Sequence, residues 1–164
     1  RVEYNGSVLI GAGNWETAVM QELGKENSVD LNLRNIYYPN LNKIQIDVAA
    51  KFLFAVAGKY KLVVYIVEDG IVSPQKNNNP AIGPSPDWLD YEHRNILRDA
   101  VNSTYGGYIS ADGNVVQNQE YPNQFIFELN SAWVTANCNI IAYVFSEDTG
   151  EVLQVAELGI KTSD

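Results

Sequence analysis

KYKLVVYIVEDGIVSPQ, residues 59–75, carries an apolar strand that ends in an acidic turn. Leu62 to Val67 is apolar on both faces and rich in β-branched side chains. Such a run has no polar face to offer water, so it reads as a central strand covered on both sides. A central strand needs neighbours, and the flanking sequence supplies them with period two. Upstream, Val29, Leu31 and Leu33 alternate with Asp30, Asn32 and Arg34. Ile44, Ile46, Val48, Ala50, Phe52, Phe54 and Val56 then share one face against Lys43, Gln45, Asp47 and Lys51. From Phe52 both faces turn apolar, so this strand is expected to start at a sheet edge and run under cover. Downstream, Phe125, Phe127 and Leu129 alternate. The strands around 140–145 and 152–160 are joined by Glu147-Asp148-Thr149-Gly150-Glu151, a tight-hairpin signature.

One segment carries helical spacing. In NWETAVMQELG, Trp15, Val19 and Leu23 recur every four residues. Asn14 is a suitable N-cap, Glu16 lies in the first turn and Gly24 can close the helix. Leu9-Ile10-Gly11-Ala12-Gly13-Asn14-Trp15-Glu16 has the outline of a dinucleotide fingerprint. Glu16, however, stands where a third glycine would meet the pyrophosphate, so the glycines are read as turning the chain into the helix. Seven or eight strands, one N-terminal helix and no βαβ rhythm predict a mainly β fold. The expected architecture is an antiparallel β-sandwich, immunoglobulin-like or jelly-roll-like, formed as a single domain over residues 1–164.

Composition narrows the function. A net charge of −9, with Lys and Arg scattered, argues against nucleic acid and anionic lipid as partners. No run of eighteen apolar residues offers a transmembrane segment. Cys138 is the only cysteine, which excludes an internal disulfide and a cysteine-rich metal site. Beside an apolar β run, it reads as a small buried hydrophobe. His93 is the only histidine. A hydrolase built on Glu68, Asp69 and His93 is disfavoured, because no Ser, Cys or metal constellation accompanies the histidine. No enzyme activity and no cofactor are expected. The opening Arg1-Val2-Glu3 shows no signal peptide, so the chain reads as an excised domain or mature fragment.

The segment from Asp69 to Asp90 holds four of the six prolines and is too long for an ordinary connection. It is read as a functional insertion or a mobile excursion. Glu68 and Asp69, at its start, are a weak candidate for a hard cation; a solvated turn is the better reading, and no metal site is expected. At its end, Tyr91-Glu92-His93-Arg94-Asn95-Ile96-Leu97-Arg98 is compatible with helix or strand. His93, Arg94 and Arg98 would suit a carboxylate or sulfate group. The alternative is that Arg98 pairs with a local acid such as Glu68 or Asp69 and pins the loop. Trp88 and Tyr91 join these three as candidate ligand-binding residues, because loop aromatics suit protein or carbohydrate recognition.

From KLVVYIVEDGIVSPQ to YEHRNILRDAVNSTYGGYIS, the chain resembles the Bacteroidetes outer-membrane proteins grouped around a twenty-eight-kilodalton surface antigen. That pattern runs a strand into Glu-Asp-Gly, places a Gln just beyond, continues with Tyr-x-His-x-x-x-Leu-Arg and closes on a small glycine turn. Here the matching positions are Glu68, Asp69, Gly70, Gln75, Tyr91, His93, Leu97, Arg98, Gly106 and Gly107. Trp133, Asn137-Cys138, the strand to Phe145 and Val152-Leu153-Gln154 extend the likeness, which covers roughly residues 44–160. The resemblance implies an exported cell-envelope protein, outer-membrane-associated or extracellular and lipid-anchored in its full-length form. It also implies a thioredoxin-like region preceding this β module. The chain itself has neither a lipobox cysteine nor a Cys-x-x-Cys, so it looks like the C-terminal module alone. The implied role is adhesion or receptor-type binding of a protein or glycan at the cell surface. The alternative is a structural module that packs against the thioredoxin-like domain in cis.

Overall fold

The structure is a computed structural model, and it describes residues 2–4, 8–54 and 57–161. Strands β1 (Val2–Tyr4) and β2 (Val8–Ile10) pair as a small antiparallel hairpin. A 3₁₀ turn at Ala12–Asn14 leads into helix α1 (Trp15–Leu23). β3 (Val29–Tyr38) and β4 (Lys43–Phe52) follow, then β5 (Tyr60–Glu68). Four two-residue strands come next: β6 (Ile71–Val72), β7 (Gln75–Lys76), β8 (Asp87–Trp88) and β9 (Glu92–His93). β10 (Ile96–Ala100), β11 (Gly107–Tyr108), β12 (Glu120–Glu128), β13 (Cys138–Ser146) and β14 (Val152–Gly159) complete the chain.

Two antiparallel sheets make the body. One has the order β12-β4-β3; the other runs β10-β5-β13-β14, with β11 also paired to β5. The core lies between them, built from Ile44, Ile46, Val48, Ala50 and Phe52 of β4 against Leu62, Val64 and Ile66 of β5 and Ile140, Ala142 and Val144 of β13. Each fully buried Val or Ile contributes about 1.5–3 kcal/mol of transfer free energy. The mainly β sandwich expected from the alternation is the observed fold. β5 is central and also buries Val63 and Val67 on the face away from the main core, as its two-sided apolar run requires.

β4 departs from expectation. It is the middle strand of its sheet along its whole length, with β12 on one side and β3 on the other, and it ends at Phe52. Phe54 lies beyond it and is largely exposed, and Val56 falls outside the described residues. Continued period-two spacing therefore did not mean continued strand. The edge of β14 is stitched to β3 across the sandwich. The Asn35 amide donates to Gly159 O at 3.0 Å and accepts the Lys161 N–H at 2.8 Å, while Tyr37 N–H donates to Lys161 O at 2.8 Å.

The helix forms at the expected residues, but its caps and packing differ. Asn14 makes no side-chain cap bond, because it already belongs to the 3₁₀ turn. Gly24 closes the helix in a right-handed conformation, donating its N–H to Met20 O. No helical residue is buried; Trp15 is 50% and Leu23 75% exposed. The nine-residue helix presents an apolar stripe that faces β14 across an open groove and stays unburied. Lys25 ties its C-terminal end down, with Nζ 2.7 Å from Glu22 and 2.9 Å from Glu151.

Candidate functional site

The stretch after Glu68 is an ordered arm. The β5–β10 ladder continues through it as an irregular two-stranded ribbon. Ile96 stands opposite Glu68, and Gly70 N–H bonds His93 O at 3.0 Å. Ile71 and Val72 pair with His93 and Glu92, and Ser73 N–H bonds Tyr91 O. Gln75 and Lys76 pair with Trp88 and Asp87, and Asn77 N–H bonds Pro86 O. At the tip, Asn77 is only 7% exposed. Its Nδ2 reaches the carbonyls of Asn79, Gly83 and Pro84 at 3.0–3.1 Å. Its Oδ1 accepts the Asn79 N–H. A side-chain amide, donor and acceptor at once, is what such a closure needs. Nothing in the Asn77-Asn78-Asn79 run marks the first asparagine as the buried one.

Motif residues far apart in sequence converge at the root of this arm. The Glu68 side chain is 5% exposed; its Oε1 accepts Val134 N–H at 2.8 Å, and its Oε2 lies 3.2 Å from Arg98 Nε. That second approach is ionic, since no donor points at Oε2 with hydrogen-bond geometry. Arg98 also lies over the Trp133 ring, 5.4 Å from its centroid, and Trp133 stacks on Phe127. A bulge between Leu97 and Asp99 leaves Arg98 as the extra residue of β10, and bulges commonly re-aim a side chain in this way. Asp69 donates its N–H to Asn137 O, and its Oδ1 accepts Asn95 N–H at 2.6 Å. Gly70 has φ +74°, and a Cβ there would sit 3.2 Å from Asn137 Nδ2.

The five candidate binding residues divide between the arm and its root. Trp88, Tyr91 and His93 form an edge-to-face ladder with centroids 5.2 and 4.8 Å apart. The Trp88 ring lies against Gly83 and leaves no room there for a Cβ. His93 Nε2 faces Ser73 O at 3.2 Å across the arm. Arg94 projects outward, with Glu92 at 4.0 Å. Arg98 belongs to the root. Residues Glu92–His93 and Ile96–Ala100 are strand, interrupted at Arg94-Asn95, where Asn95 takes a φ of +52°, and none of the segment is helix. Sequence reading missed Asn77, Val134 as the second anchor of Glu68, and the bulge. Among the described residues, no group of three or more His, Cys, Asp or Glu side chains is placed to hold a metal ion. The arrangement is suited to holding an arm in one position.

Cys138 lies beside this root, 1% exposed, with Sγ 3.5 Å from Val134 O. Burial, reinforced by the nearby Glu68 carboxylate and partly opposed by Arg98, pushes its pKa up to about 11. The folded thiol thus holds its proton more tightly than an unfolded one with the ordinary value of 9.0. Its contribution to stability is complete below pH 9 and is lost as pH rises through about 11. Inert thiols are buried and protonated. Ellman's reagent at pH 8 is therefore expected to label the native chain at least ~100-fold more slowly than the urea-unfolded chain. Equal rates would refute this.

None of the curated proteins matches the chain significantly. Among solved structures, the chain is similar to a domain of the outer membrane lipoprotein Omp28 from Porphyromonas gingivalis, with a TM-score of 0.56 and 20% identity. That match covers 85% of this chain and 93% of the other, and at this identity it speaks for the fold. The profile of the outer membrane protein Omp28 family matches residues 5–164. With the Glu-Asp-Gly turn, Arg98 of the Tyr-x-His-x-x-x-Leu-Arg segment and the closing Trp and Asn-Cys positions meeting at one root, and with the family profile spanning residues 5–164, the chain belongs to the Omp28 family of outer membrane proteins.

Proposed function

We propose that this chain is a non-catalytic cell-surface module, lipid-anchored in its full-length protein, that binds a partner through the 69–95 arm as an adhesin or receptor does. The observation that carries this reading is the arm's construction. It is bonded along its length, closed at the tip by Asn77 and pinned at the root by Glu68 and Arg98. A binding element held in one shape loses little conformational entropy on association. Its aromatic rings pack edge-to-face against one another, so the apolar groups it offers are Val72, Ile82 and Leu89, all exposed. That surface favours a protein partner over a glycan, which would call for an open ring face. The strand order supports an immunoglobulin-like reading. With β3, β4, β5, β10, β12, β13 and β14 lettered A, B, C, C′, E, F and G, the sheets run E-B-A and C′-C-F-G, close to the immunoglobulin arrangement.

A specific observation also favours the structural reading. Trp15, Val19 and Leu23 of α1 and Val152 and Val155 of β14 line an exposed groove of about 840 Å³, suited to packing against a preceding thioredoxin-like domain. One experiment separates the two: binding of the labelled chain to intact cells, before and after protease treatment of those cells. The double variant Ile82→Asp, Leu89→Asp is expected to weaken binding at least about tenfold, or 1.4 kcal/mol, without moving the melting temperature. Undiminished binding by that variant would refute the arm reading. Absence of cell binding by the unaltered chain would favour the structural reading.

A further inference from the structure

The four sheet edges of the sandwich are not treated alike. β14 is stitched to β3 through Asn35 and Lys161, so those two edges close on each other. β10 and β11 are short, and β10 is bulged. Short and bulged strands are poor templates for further pairing. β12 is different: nine residues, in unbroken register with β4 from Glu120↔Lys51 to Glu128↔Lys43, and without a lysine.

Pro122 fixes which way the β12 backbone faces. Proline has no N–H for a ladder, so within a regular strand it sits where that N–H would point outward. Alternate residues share a direction, so the main-chain groups of Glu120, Pro122, Gln124, Ile126 and Glu128 face away from β4. Tyr37 agrees with this phase: its N–H turns outward to Lys161, which leaves its partner Ile44 bonded to Phe127 on the other side. Among the described residues, no backbone group bonds the outward N–H or C=O of Gln124, Ile126 or Glu128. The same residues carry exposed side chains, and Ile126 is 60% exposed.

We propose that the β12 edge is a docking site for an extended peptide segment, added to the sheet as a further strand, with a basic residue at each end and a β-branched residue opposite Ile126. Charge selects this occupant. Glu120 and Glu128 stand at the two ends of the open edge, and cross-strand pairs of opposite charge are favourable whereas like charges are not. A second copy fits worse. Antiparallel self-pairing centred on Gln124 sets Glu128 against Glu120 of the other chain, and each chain brings a net charge of −9. This site is independent of the arm.

The test uses the whole chain and two nine-residue peptides of alternating threonine and valine, one with terminal lysines and one with terminal glutamates. The lysine peptide is expected to bind and to slow amide hydrogen exchange at Gln124, Ile126 and Glu128. The glutamate peptide is expected to bind at least about tenfold more weakly. Ile126→Pro removes one outward donor and leaves the β4 ladder intact, so the variant should fold and lose the lysine peptide. Ile126→Thr, which keeps the donor, should retain it. Equal binding of the two peptides would overturn the proposal. So would full binding by a folded Ile126→Pro variant, protection at other amides, or a dimer that Ile126→Pro dissolves, which would assign the edge to a second copy.

Discussion

Arg98→Ala is expected to destabilise the chain by about 3 kcal/mol, because it leaves the Glu68 carboxylate buried without its counter-charge. Glu68 keeps only 5% of its side chain in water, and its Oε2 has no donor aimed at it besides the ionic approach of Arg98. Arg98 retains 28% exposure, so water would partly enter its place, and the effect falls at the lower end of the range for broken buried pairs. The variant would also lose the contact with the Trp133 ring. Urea unfolding monitored by tryptophan fluorescence measures the loss. A second readout separates a local root from general packing: amide exchange at 71–76 and 87–93 should accelerate more than at β13. Glu68→Gln combined with Arg98→Met removes both charges together and should recover most of the stability, since a paired replacement leaves no orphaned ion. Unchanged stability of Arg98→Ala would show that the arm is held by its backbone ladder alone.

The body of the fold was legible because burial and period coincide there. Ile44, Ile46, Val48, Ala50 and Phe52 alternate in sequence and lie fully buried in the sandwich. The arm was legible only as a length of chain. Its ladder is interrupted and two residues long at each step, so alternation never runs far enough to register. Its prolines and asparagines signal turns, whereas what orders the tip is one buried amide among three adjacent asparagines. At the root, the pairing of Arg98 with Glu68 was readable as chemistry, but the bulge that places Arg98 was not. A bulge inserts one residue without changing composition, and only the partner strand reveals it. The helix shows the converse failure. Its four-residue spacing specified a helix, yet spacing does not say whether anything packs against the stripe, and here Trp15, Val19 and Leu23 stay exposed.

Gly106→Ala is expected to be as damaging, for a reason that involves no charge. Gly106 ends the turn that returns the chain to β5, with its N–H on Ser103 O and its carbonyl accepting from Ser103 Oγ. Its φ is +73°, and a Cβ would lie 2.6 Å from Leu62 O and 2.8 Å from Val63 Cγ2. Leu62 O belongs to the central strand and already accepts the Asn102 amide at 2.8 Å, so the strand cannot withdraw without breaking its own bonds. The left-handed conformation costs roughly 1–2 kcal/mol for a residue with a Cβ, and overpacking a tight site adds about 1–3 kcal/mol. Gly150 supplies the comparison: its φ is +72°, but nothing lies within 4 Å of its Cβ position. Gly150→Ala should therefore cost only the conformational part, about 1–2 kcal/mol. The difference between the two variants in urea unfolding isolates the contact with Leu62. Equal losses would mean that the turn moves off the central strand freely, and that the close approach of Gly106 is not what seats β11 there.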